Sequence, residues 1–482
     1  MGLTRVSLKQ VAVNVDSLAA LKGTVRTLNG WSLVPLVRVF DCLGLAYNLL
    51  DGPVSVAQHQ LNTVKMHGIY DYLASIDLGH FVTEAELAFE LNHRGAELLA
   101  DSERMAWDPP YGTLYFLGNN TRAEKVLCQP IFPLESVARL LRSTASALLQ
   151  EIILESYVMP FWVALAQIPL GERLAQGEQV NLTESSSIAV ANLAAWFGVL
   201  KDVGMAETSA DGVKVRLTEY GQARWQARHA LGVPWSYLQH FKILELLLRG
   251  QGNVHCDRGH NVTGSGNTHG PIFALAEAVI AATQAKFIVD IGCGDGAFLA
   301  WALKVREAQG KTLQPVGVDF ETVPLQITSQ RVPGAQVFRG NIKDPDQIAK
   351  DLRARGLDPA DGIYFTNFIA HEVTGETFGM RPDTLFEAHC RHLGMGHGNV
   401  FAEVYQLPWQ VIARQGRYER STNPPYGLVH TLSGQGMLKE SDWLKAFKGA
   451  GFSRTDYKPM RPINRGEDPL YHAHGMLFGF TR

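Results

Sequence analysis

Residues 287–303, FIVDIGCGDGAFLAWAL, combine an acidic side chain with three closely spaced glycines. An apolar run ends at Asp290, and the glycines follow before an apolar pattern with helical spacing resumes. Glycines allow a tight turn and let a ligand approach the backbone, because they lack a Cβ atom. The stretch therefore predicts a strand, a ligand-binding loop and a helix, with Gly292, Gly294 and Gly296 as cofactor-binding residues.

Two cofactor classes fit such a loop, and the acidic residues favour one of them. The stretch Gly292–Ala297 formally matches the dinucleotide fingerprint, but the carboxylate of Asp295 would repel phosphate groups. S-adenosylmethionine carries a sulfonium and an ammonium instead, and Asp290 stands where it could attract the ammonium. Asp319 ends the next predicted strand, the usual place for a carboxylate that accepts hydrogen bonds from ribose hydroxyls. We therefore predict S-adenosylmethionine as the cofactor.

Two later strands add polar residues at the same predicted edge of the sheet. After the third strand, Asn341 and Ile342 are expected to flank the adenine, with Asn341 as the polar reader. Asn367 lies near the end of the fourth strand and is a further predicted cofactor contact, followed by His371 and Glu372. Ligands of doubly wound sheets bind at the carboxyl ends of the strands. The adjacent His and Glu are therefore expected beside the cofactor as catalytic residues.

The elements that must position these residues alternate between short apolar strands and helices from about residue 270 onward. The predicted strands are FIVDIG, QPVGVDF, AQVFRGN, GIYFTNFIA and GNVFAEVYQ. This alternation is typical of an α/β domain with a doubly wound parallel sheet. We predict a Rossmann-like domain over residues 251–482, preceded by a mainly helical region over residues 1–150 and a winged-helix domain over residues 151–250.

The winged-helix prediction rests on a helix, two short strands joined by an Asp-Gly turn, and a further helix. A weak echo relates residues 89–99 to residues 215–225, with Gly95 matching Gly221, so a second winged-helix unit stays an open alternative. Winged helices often bind DNA, but this block has no dense stripe of Lys and Arg. Its apolar stretch ANLAAWFGVL is therefore interpreted as a core segment or a dimer interface.

These motifs together resemble the class I S-adenosylmethionine-dependent methyltransferases, whose pattern Asp-x-Gly-x-Gly-x-Gly corresponds here to Asp290–Gly296. Over roughly residues 160–482, the winged helix and the His–Glu pair resemble the plant-type O-methyltransferase architecture. This resemblance implies a homodimer formed through the winged helix, and His371 as the general base that deprotonates a hydroxyl. One branch, the metal-dependent C-methyltransferases of α-keto acids and polyketide-type substrates, implies instead a His–acid pair and a later His as ligands to one metal ion.

A later histidine and a glutamine are the candidates for that metal-dependent variant. The resemblance implies that His371, Glu372 and His430 form a two-His-one-carboxylate set, the type that holds Fe(II) with open positions. Gln435 would be a fourth ligand or a hydrogen-bond partner of the ligands. An iron, manganese or zinc ion would act as a Lewis acid that stabilises an enolate, with His430 as a further catalytic residue.

Three functional hypotheses follow from these residues. The first is metal-assisted C-methylation of an activated carbon acid, an α-keto acid or a malonyl or acyl thioester, in natural-product biosynthesis. The second is metal-free O-methylation of a small hydroxylated molecule, with His371 as base. The third is a non-catalytic winged-helix protein that senses S-adenosylmethionine. In the two enzymatic hypotheses, the substrate is a small molecule, either free or tethered to a carrier protein.

Composition points away from several other classes of protein. The formal net charge of −3 gives no reason to expect nucleic acid or an anionic membrane as a partner. The five cysteines show no paired spacing, as is typical of a reduced cytosolic protein. The first residues lack the apolar core of a signal peptide, and no apolar run approaches the length of a membrane span. We expect a cytoplasmic location.

Three further stretches lie outside the predicted site. Residues 255–273 are rich in His and Gly but fit no standard zinc pattern, so they are predicted to be a lid with His269 as a contact, or alternatively a solvated loop. His472 and His474 would share one face of a strand and are interpreted as packing residues. Trp443 is expected to pack its helix against the sheet.

Overall fold

The computed structural model of the chain describes residues 18–55, 60–83, 88–103, 147–166, 168–184, 190–226, 228–252, 273–373, 398–404, 423–435, 445, 454–459 and 474–480. The chain forms two compact units. We call the first, residues 13–256 with 408–432, the N-terminal unit. We call the second, residues 1–12, 257–407 and 433–482, the α/β unit.

The first half of the N-terminal unit is a pair of helices followed by a winged helix. Its elements in chain order are helices α1 (Leu18–Cys42) and α2 (Leu45–Asp51), strand β1 (Val54–Ser55), helix α3 (Thr63–Ser75), strands β2 (Gly79–Thr83) and β3 (Ala88–Leu91), and helix α4 (His93–Glu103). Strands β1 and β2 both pair antiparallel with β3, so the sheet has the order β1-β3-β2.

The second half of the unit repeats this order of elements. They are helices α5 (Ala147–Leu165) and α6 (Pro169–Ala175), strand β4 (Val180–Asn181), helix α7 (Val190–Asp202), strands β5 (Ala206–Thr208) and β6 (Lys214–Leu217), and helix α8 (Glu219–Gln226). The sheet order β4-β6-β5 is again antiparallel, with the last strand in the middle. Three short helices follow: α9 (His229–Ser236), α10 (Leu238–Lys242) and α11 (Leu244–Leu248).

Gly95 and Gly221 show that the two halves are copies of one structure. A Cβ atom on either glycine would lie 2.0 Å from the backbone carbonyl oxygen at the start of the preceding hairpin. The N–H group of each glycine donates a 3.0 Å hydrogen bond to a side-chain oxygen three residues earlier, on Asn92 in the first copy and Thr218 in the second. The weak echo in the sequence therefore marks an internal duplication, and a second winged-helix unit is present.

The two copies share one hydrophobic core. Helix α1 packs along α5 so closely that a Cβ atom on Gly30 would lie 2.5 Å from the carbonyl oxygen of Ile152. Helix α8 also packs against α1, and α4 packs against α5, so each copy contacts the long helix of the other. The apolar stretch in α7 buries Trp196 and Phe197 in this core, in agreement with its interpretation as a core segment.

The boundary predicted at residue 150 falls within helix α5, whose residues belong with those of α1 to one compact unit. The division of the chain into three domains stays a prediction. In the described residues, α5 is the single helix that is long and apolar enough to cross a membrane, or one of two if the bent pair α1 and α2 is counted as one span. Of its stretch 148–165, 72% is buried, as is common for core helices, and the cytoplasmic location stays a prediction.

The α/β unit contains a seven-stranded sheet. Its elements in chain order are helix α12 (Glu277–Ala282), strand β7 (Phe287–Ile291), helix α13 (Ala297–Glu307), strand β8 (Gln314–Asp319), helix α14 (Thr322–Arg331), strand β9 (Gln336–Arg339), helix α15 (Pro345–Ala354), and strands β10 (Gly362–Asn367), β11 (Gly398–Val404), β12 (Arg454–Pro459) and β13 (His474–Phe480). The strand order is β12-β13-β11-β10-β7-β8-β9. Strands β7 to β11 pair in parallel, and β13 is antiparallel to both of its neighbours.

This sheet confirms the predicted α/β, Rossmann-like fold with a preceding helical region that contains winged helices. All five predicted strands are present as β7 to β11. Strand β7 lies between β10 and β8, so the order of the parallel strands reverses at this point. Ligands of open α/β sheets bind in the crevice at such a switch point, outside the carboxyl ends of the strands.

One helix of the late sequence belongs to the N-terminal unit. Helix α16 (Asn423–Leu432) packs against α3, where the side chain of Thr431 covers Gly68. The Nζ group of Lys65 donates a 3.0 Å hydrogen bond to the carbonyl oxygen of Leu432. The predictions for His269, Trp443 and His472 lie outside the described residues.

Candidate active site

The predicted cofactor residues lie at the carboxyl ends of strands β7, β8 and β10. Asp290 is the fourth residue of the fully buried strand β7 and faces register partners on both sides, Phe365 on β10 and Gly317 on β8. Asp319 is the last residue of β8, and Asn367 is the last residue of β10. The sheet thus brings these three polar side chains to one edge.

The glycine loop after β7 takes a backbone conformation that favours glycine at each of its three predicted positions. The φ angles are 75° at Gly292, 53° at Gly294 and 74° at Gly296, in the left-handed region that side chains disfavour. A Cβ atom on Gly296 would also lie 3.1 Å from the backbone of Thr328. The hydroxyl of Thr328 donates a 3.0 Å hydrogen bond to the Gly294 carbonyl oxygen, which ties the loop to helix α14.

The carboxylate of Asp319 is held by the backbone at the mouth of the crevice. Its Oδ2 atom accepts a 3.0 Å hydrogen bond from the N–H of Gly294, and Oδ1 accepts a 2.9 Å bond from the N–H of Glu321. A carboxylate offers about four acceptor sites, which is more than these two backbone groups use. Its place at the end of β8 agrees with the expected hydrogen bonds from ribose hydroxyls, which stay a prediction.

Asp290 is buried, and its surroundings disfavour the ionised form of its carboxyl group. Burial raises the pKa of its carboxyl well above the ordinary value, and the nearby charges of Asp319 and Asp295 raise it further. The Nδ2 group of Asn367 donates to Asp290 Oδ1 at 3.4 Å. Within the described structure, Oδ1 of Asn367 is buried without a hydrogen-bond donor. An ammonium group would supply both the positive charge for Asp290 and a donor for Asn367, so these residues fit the amino-acid end of S-adenosylmethionine.

Asp295 has a different role from the one its position in the sequence indicated. Its Oδ2 atom lies 2.8 Å from the guanidinium of Arg331, and Oδ1 accepts a 3.2 Å hydrogen bond from the N–H of Ala297 at the start of α13. Because Arg331 compensates its charge, Asp295 is a weaker argument against phosphate than the sequence suggested. The preference for a cation rests on Asp290 and Asp319 instead.

The residues predicted to flank the adenine follow strand β9. Ile342 is buried, and Oδ1 of Asn341 accepts a 3.0 Å hydrogen bond from the N–H of Lys343, which shapes the turn. The amide oxygen of Asn341 therefore helps to shape the turn, and the adenine-reading role of this residue stays a prediction.

His371 and Glu372 lie on a single turn of 3₁₀ helix, Ala370–Val373, directly after β10. Phe368, between the strand and the turn, has a φ of 55°. A bulky residue in the left-handed region stores strain, and such strain is typical of functional sites. His371 is 3% exposed, and the N–H of Glu372 donates a 3.0 Å hydrogen bond to the carbonyl oxygen of Ile369.

The carboxylate of Glu372 is held by two side chains that come from distant parts of the α/β unit. The Nε2 group of Gln435 donates a short hydrogen bond to Oε1. The ammonium of Lys343 lies 3.7 Å from Oε2. The hydroxyl of Ser433 in turn donates to Gln435 Oε1 at 3.0 Å, which fixes the orientation of the amide. We call Lys343, Glu372, Ser433 and Gln435 the Glu372 cluster.

His430 is described in the N-terminal unit, on helix α16. It is buried, and its Nδ1 atom lies 2.6 Å from the carbonyl oxygen of Tyr426, one turn earlier in the helix. Its ring centroid lies 5.8 Å from that of Tyr237. These contacts fix the ring of His430 within its own unit.

The described residues include the four predicted metal ligands, with His371, Glu372 and Gln435 in the α/β unit and His430 in the N-terminal unit. Among them, no group of three His, Cys, Asp or Glu side chains could hold a metal ion. Glu372 faces the ammonium of Lys343 and the amide of Gln435, and a cationic neighbour works against binding a second cation. That His371, Glu372, His430 and Gln435 hold iron, manganese or zinc stays a prediction, and within the α/β unit Gln435 lies beside Glu372.

Sequence reasoning missed three residues of the site. Lys343 follows a predicted adenine contact closely, but a single lysine after a strand carries no distinctive signal. Arg331 and Thr328 lie on one face of α14 and contact the glycine loop from there. The helical spacing of these two residues was visible, but their target depended on where α14 packs.

Comparison with protein families gives one match within the α/β unit. Residues 253–384 match the family model described as an AprA MT2-like domain, a methyltransferase family. The matched range includes the glycine loop, Asp319, Asn367 and the turn with His371 and Glu372. The chain carries an S-adenosylmethionine-dependent methyltransferase domain.

Comparison with solved structures gives remote likenesses to other methyltransferases. The citrinin polyketide synthase CMeT domain is 10% identical, with a TM-score of 0.34, and the match covers 68% of this chain and 94% of that one. An O-methyltransferase family protein from Burkholderia thailandensis is 12% identical, with a TM-score of 0.39 and coverages of 64% and 92%. Human N-acetylserotonin methyltransferase in complex with SAM is 13% identical, with a TM-score of 0.40 and coverages of 78% and 99%.

No curated protein sequence matches this methyltransferase significantly. With TM-scores below 0.5, the structural likenesses establish neither the acceptor nor the atom that is methylated.

Proposed function

We propose that this methyltransferase moves the methyl group of S-adenosylmethionine to an acidic carbon of a small acyl substrate, an α-keto acid or a malonyl or acyl thioester. The observation that carries the proposal is the Glu372 cluster, which places an ammonium and an amide beside a carboxylate at the carboxyl edge of β10. His371 directly precedes Glu372 on the same turn. A base and two N–H donors are what deprotonation next to a carbonyl requires.

The overall reaction sets what the protein must provide. A proton leaves the acceptor carbon, and the electron pair left behind forms the new bond to the methyl carbon. The bond from that methyl to sulfur breaks, and the sulfonium becomes the neutral thioether of S-adenosylhomocysteine. The protein must bind the donor cation, hold the acceptor in line with it, and stabilise the enolate before the methyl moves.

The residues at the carboxyl ends of β7, β8 and β10 would bind the donor cation. Asp290 and Asn367 would hold the ammonium, and Asp319 the ribose. The positive sulfonium also favours a negatively charged acceptor nearby, because opposite charges attract strongly where water is excluded. Binding of the cofactor thus assists formation of the enolate as well as supplying the methyl group.

We assign stabilisation of the enolate to the Glu372 cluster. Lys343 is a cation with three N–H donors, and the side-chain amide of Gln435 has two. An enolate oxygen beside them would gain charge-assisted hydrogen bonds, the stabilisation that the sequence-based hypothesis gave to a metal ion. His371 or Glu372 would accept the proton from carbon.

A hydroxyl acceptor is the alternative, because His371 as a base would be sufficient to methylate oxygen. Transfer from S-adenosylmethionine with a ¹³C-labelled methyl group distinguishes the two, since methyl groups on carbon and on oxygen have separate NMR shifts. We expect the label on carbon, together with exchange of solvent deuterium into the α position of a malonyl thioester or α-keto acid. Label on oxygen across a panel of acceptors, without deuterium exchange, would replace the proposal by O-methylation.

The role of Lys343 can be tested with a matched pair of variants. In Lys343→Gln, we expect deuterium exchange to slow by roughly 10- to 100-fold, the loss that follows removal of one charge-assisted donor. Binding of S-adenosylmethionine should stay unchanged. The control is Lys304→Gln, which removes an exposed lysine on helix α13. Equal exchange rates in both variants and the parent would remove Lys343 from the mechanism.

Metal removal tests the metal-dependent variant directly. Because the ammonium of Lys343 lies beside Glu372 and opposes a second cation there, we expect methyl transfer to survive treatment with a strong chelator. Activity would be measured before and after treatment, with magnesium, iron, manganese and zinc added back separately. Loss of activity that one of these ions restores would reinstate the metal-assisted reaction.

A further inference from the structure

Two residues connect the predicted cofactor site to the turn that carries the predicted base. Strand β10 ends at Asn367, whose side chain donates a hydrogen bond to Asp290. The 3₁₀ turn Ala370–Val373 begins three residues later. Phe368 and Ile369 form the connection between them. The way in which these two residues are held therefore decides how firmly the turn is placed beside the cofactor edge.

The side chain of Ile369 occupies the space next to Gly292 in the glycine loop. A Cβ atom on Gly292 would lie 2.6 Å from Cδ1 of Ile369, 3.1 Å from its Cγ2 and 3.3 Å from its Cβ. Distances this short leave no room for a side chain at position 292. Gly292 thus has a second reason to be glycine besides its φ of 75°, because it lets Ile369 pack directly against the backbone of the loop.

The backbone of Ile369 holds the other end of the connection. Its carbonyl oxygen accepts the 3.0 Å hydrogen bond from the N–H of Glu372, the i to i+3 pattern that closes a 3₁₀ turn. One residue therefore contacts the cofactor loop through its side chain and the turn through its main chain. Because closely packed groups transmit displacements, a shift of the loop is passed on to the turn.

Phe368 makes the conformation of the turn depend on these contacts. Its φ of 55° lies in the left-handed region, and its side chain packs against the core that contains Phe298 and Phe365. Such strained residues persist only where the surrounding structure holds them. The core holds Phe368 on one side, and the contact of Ile369 with the glycine loop holds the following residue. Loss of that contact would let the turn relax.

We propose that Ile369 is a positioning residue through which the glycine loop sets the place of His371 and Glu372. Binding of S-adenosylmethionine orders the loop and, through Ile369, fixes the turn, so that the base is in place when the methyl donor is bound. This coupling limits removal of a proton from the acceptor before a methyl group is there to replace it. The proposal rests on the proposed function only in that this turn carries the base, and it holds for a carbon or an oxygen acceptor alike.

Hydrogen exchange of backbone amides, followed by mass spectrometry of the full chain with and without S-adenosylhomocysteine, tests the coupling. The informative group is the N–H of Glu372, which donates to Ile369. In the parent, we expect S-adenosylhomocysteine to slow exchange in a peptide that contains residues 370–373 by about tenfold or more, because a held turn opens less often. In Ile369→Ala, this slowing should be lost, while the calorimetric affinity for S-adenosylhomocysteine changes less than about threefold.

Further variants separate positioning from a general loss of packing. Ile369→Val removes one methyl group and with it Cδ1, the atom nearest to Gly292, so an intermediate slowing is expected. Ile280→Ala and Ile280→Val are the matched controls, since Ile280 is a buried isoleucine of helix α12 in the same unit. Both controls should keep the slowing of the parent. Circular dichroism confirms folding, and the two Val variants decide if an Ala variant does not fold.

The exchange experiment does not depend on which atom of the acceptor is methylated. Label on oxygen in the ¹³C assay would replace C-methylation and leave these exchange rates as they are. The proposal on Ile369 is overturned if S-adenosylhomocysteine binds to the parent without slowing exchange in the turn. It is also overturned if Ile369→Ala and Ile369→Val keep the full slowing, or if the Ile280 variants lose it equally.

Discussion

Asp290 is the residue at which the electrostatics of the site are most clearly directed at a ligand. Its carboxylate is buried, and its closest charged neighbours, Asp319 and Asp295, are negative as well. Arg331 forms an ion pair with Asp295. The edge of the sheet that carries Asp290 and Asp319 therefore favours a cation. S-adenosylmethionine carries two positive charges, on its sulfonium and its ammonium.

Replacing Asp290 by Asn tests this assignment. The variant keeps the shape but loses the charge that attracts the ammonium, so we expect affinity for S-adenosylmethionine to fall roughly 10- to 100-fold, in line with about 1.5–3 kcal/mol for a charged hydrogen bond. Asp361→Asn is the matched control, since Asp361 pairs with Lys286 at the other end of the sheet. Calorimetric affinities that are equal for both variants would contradict the assignment.

The raised pKa of Asp290 also predicts a proton release. The empty site holds the carboxyl protonated over a pH range above the ordinary aspartate value of about 3.9. A bound ammonium stabilises the ionised form and lowers the pKa, so binding releases a proton within that range. Affinity should therefore rise with pH up to the raised pKa and level off above it. Calorimetry in buffers of different ionisation enthalpy counts the protons, and an uptake of protons would be the wrong sign.

The chemistry of single residues was predictable from sequence where it depended on the local order of the chain. Asp290, the three glycines and Asp319 could be placed because strand ends and loops fix them. The partners of Glu372 could be placed only in part. Gln435 was expected near Glu372 from family resemblance, whereas Lys343 depends on the packing of a turn that has no sequence signature. The metal site stays a prediction, because residue types alone do not report which groups a carboxylate faces.

At the scale of elements, the winged helix depends on the close approach of a helix to a hairpin. Gly95 and Gly221 lie in the first turns of helices α4 and α8, and neither could carry a side chain without displacing a backbone carbonyl. This pair of glycines indicated a possible second winged helix in the sequence. The full extent of the duplication could not be predicted, because the long helices α1 and α5 pack against each other but hardly match in residues.

Gly221→Ala should therefore destabilise the protein. A Cβ atom 2.0 Å from the carbonyl oxygen of Met205 forces the helix away from the hairpin, and overpacking of this kind costs about 1–3 kcal/mol. Gly198→Ala is the control, because that glycine lies inside helix α7 with no atom near an added Cβ. There the change should be neutral or stabilising by about 0.5–1 kcal/mol. Urea denaturation measures both, and equal midpoints would refute the close approach.

At the scale of the whole molecule, the duplication bears on oligomeric state. Family resemblance predicts a homodimer through the winged helix, in which the same surface of two chains would meet. Here two copies of that fold already meet within one chain. Helix α1 packs along α5, α8 packs against α1, and α4 packs against α5. The apolar side chains of α7 are buried in the shared core.

We therefore expect the isolated chain to be a monomer. Light scattering coupled to size exclusion should give a mass close to 53.1 kDa, independent of concentration over the micromolar range. A mass near twice that value would show that the winged-helix pair has a further self-complementary surface, as the resemblance predicts.

Calorimetric titration with S-adenosylmethionine and, separately, with NAD⁺ tests the central claim most directly. The account predicts one site per chain for the sulfonium compound, lost or strongly weakened in Asp290→Asn, and no saturable uptake of the dinucleotide. Tight binding of NAD⁺ without binding of S-adenosylmethionine would contradict it, because the acidic edge of the sheet would then be accepting phosphates.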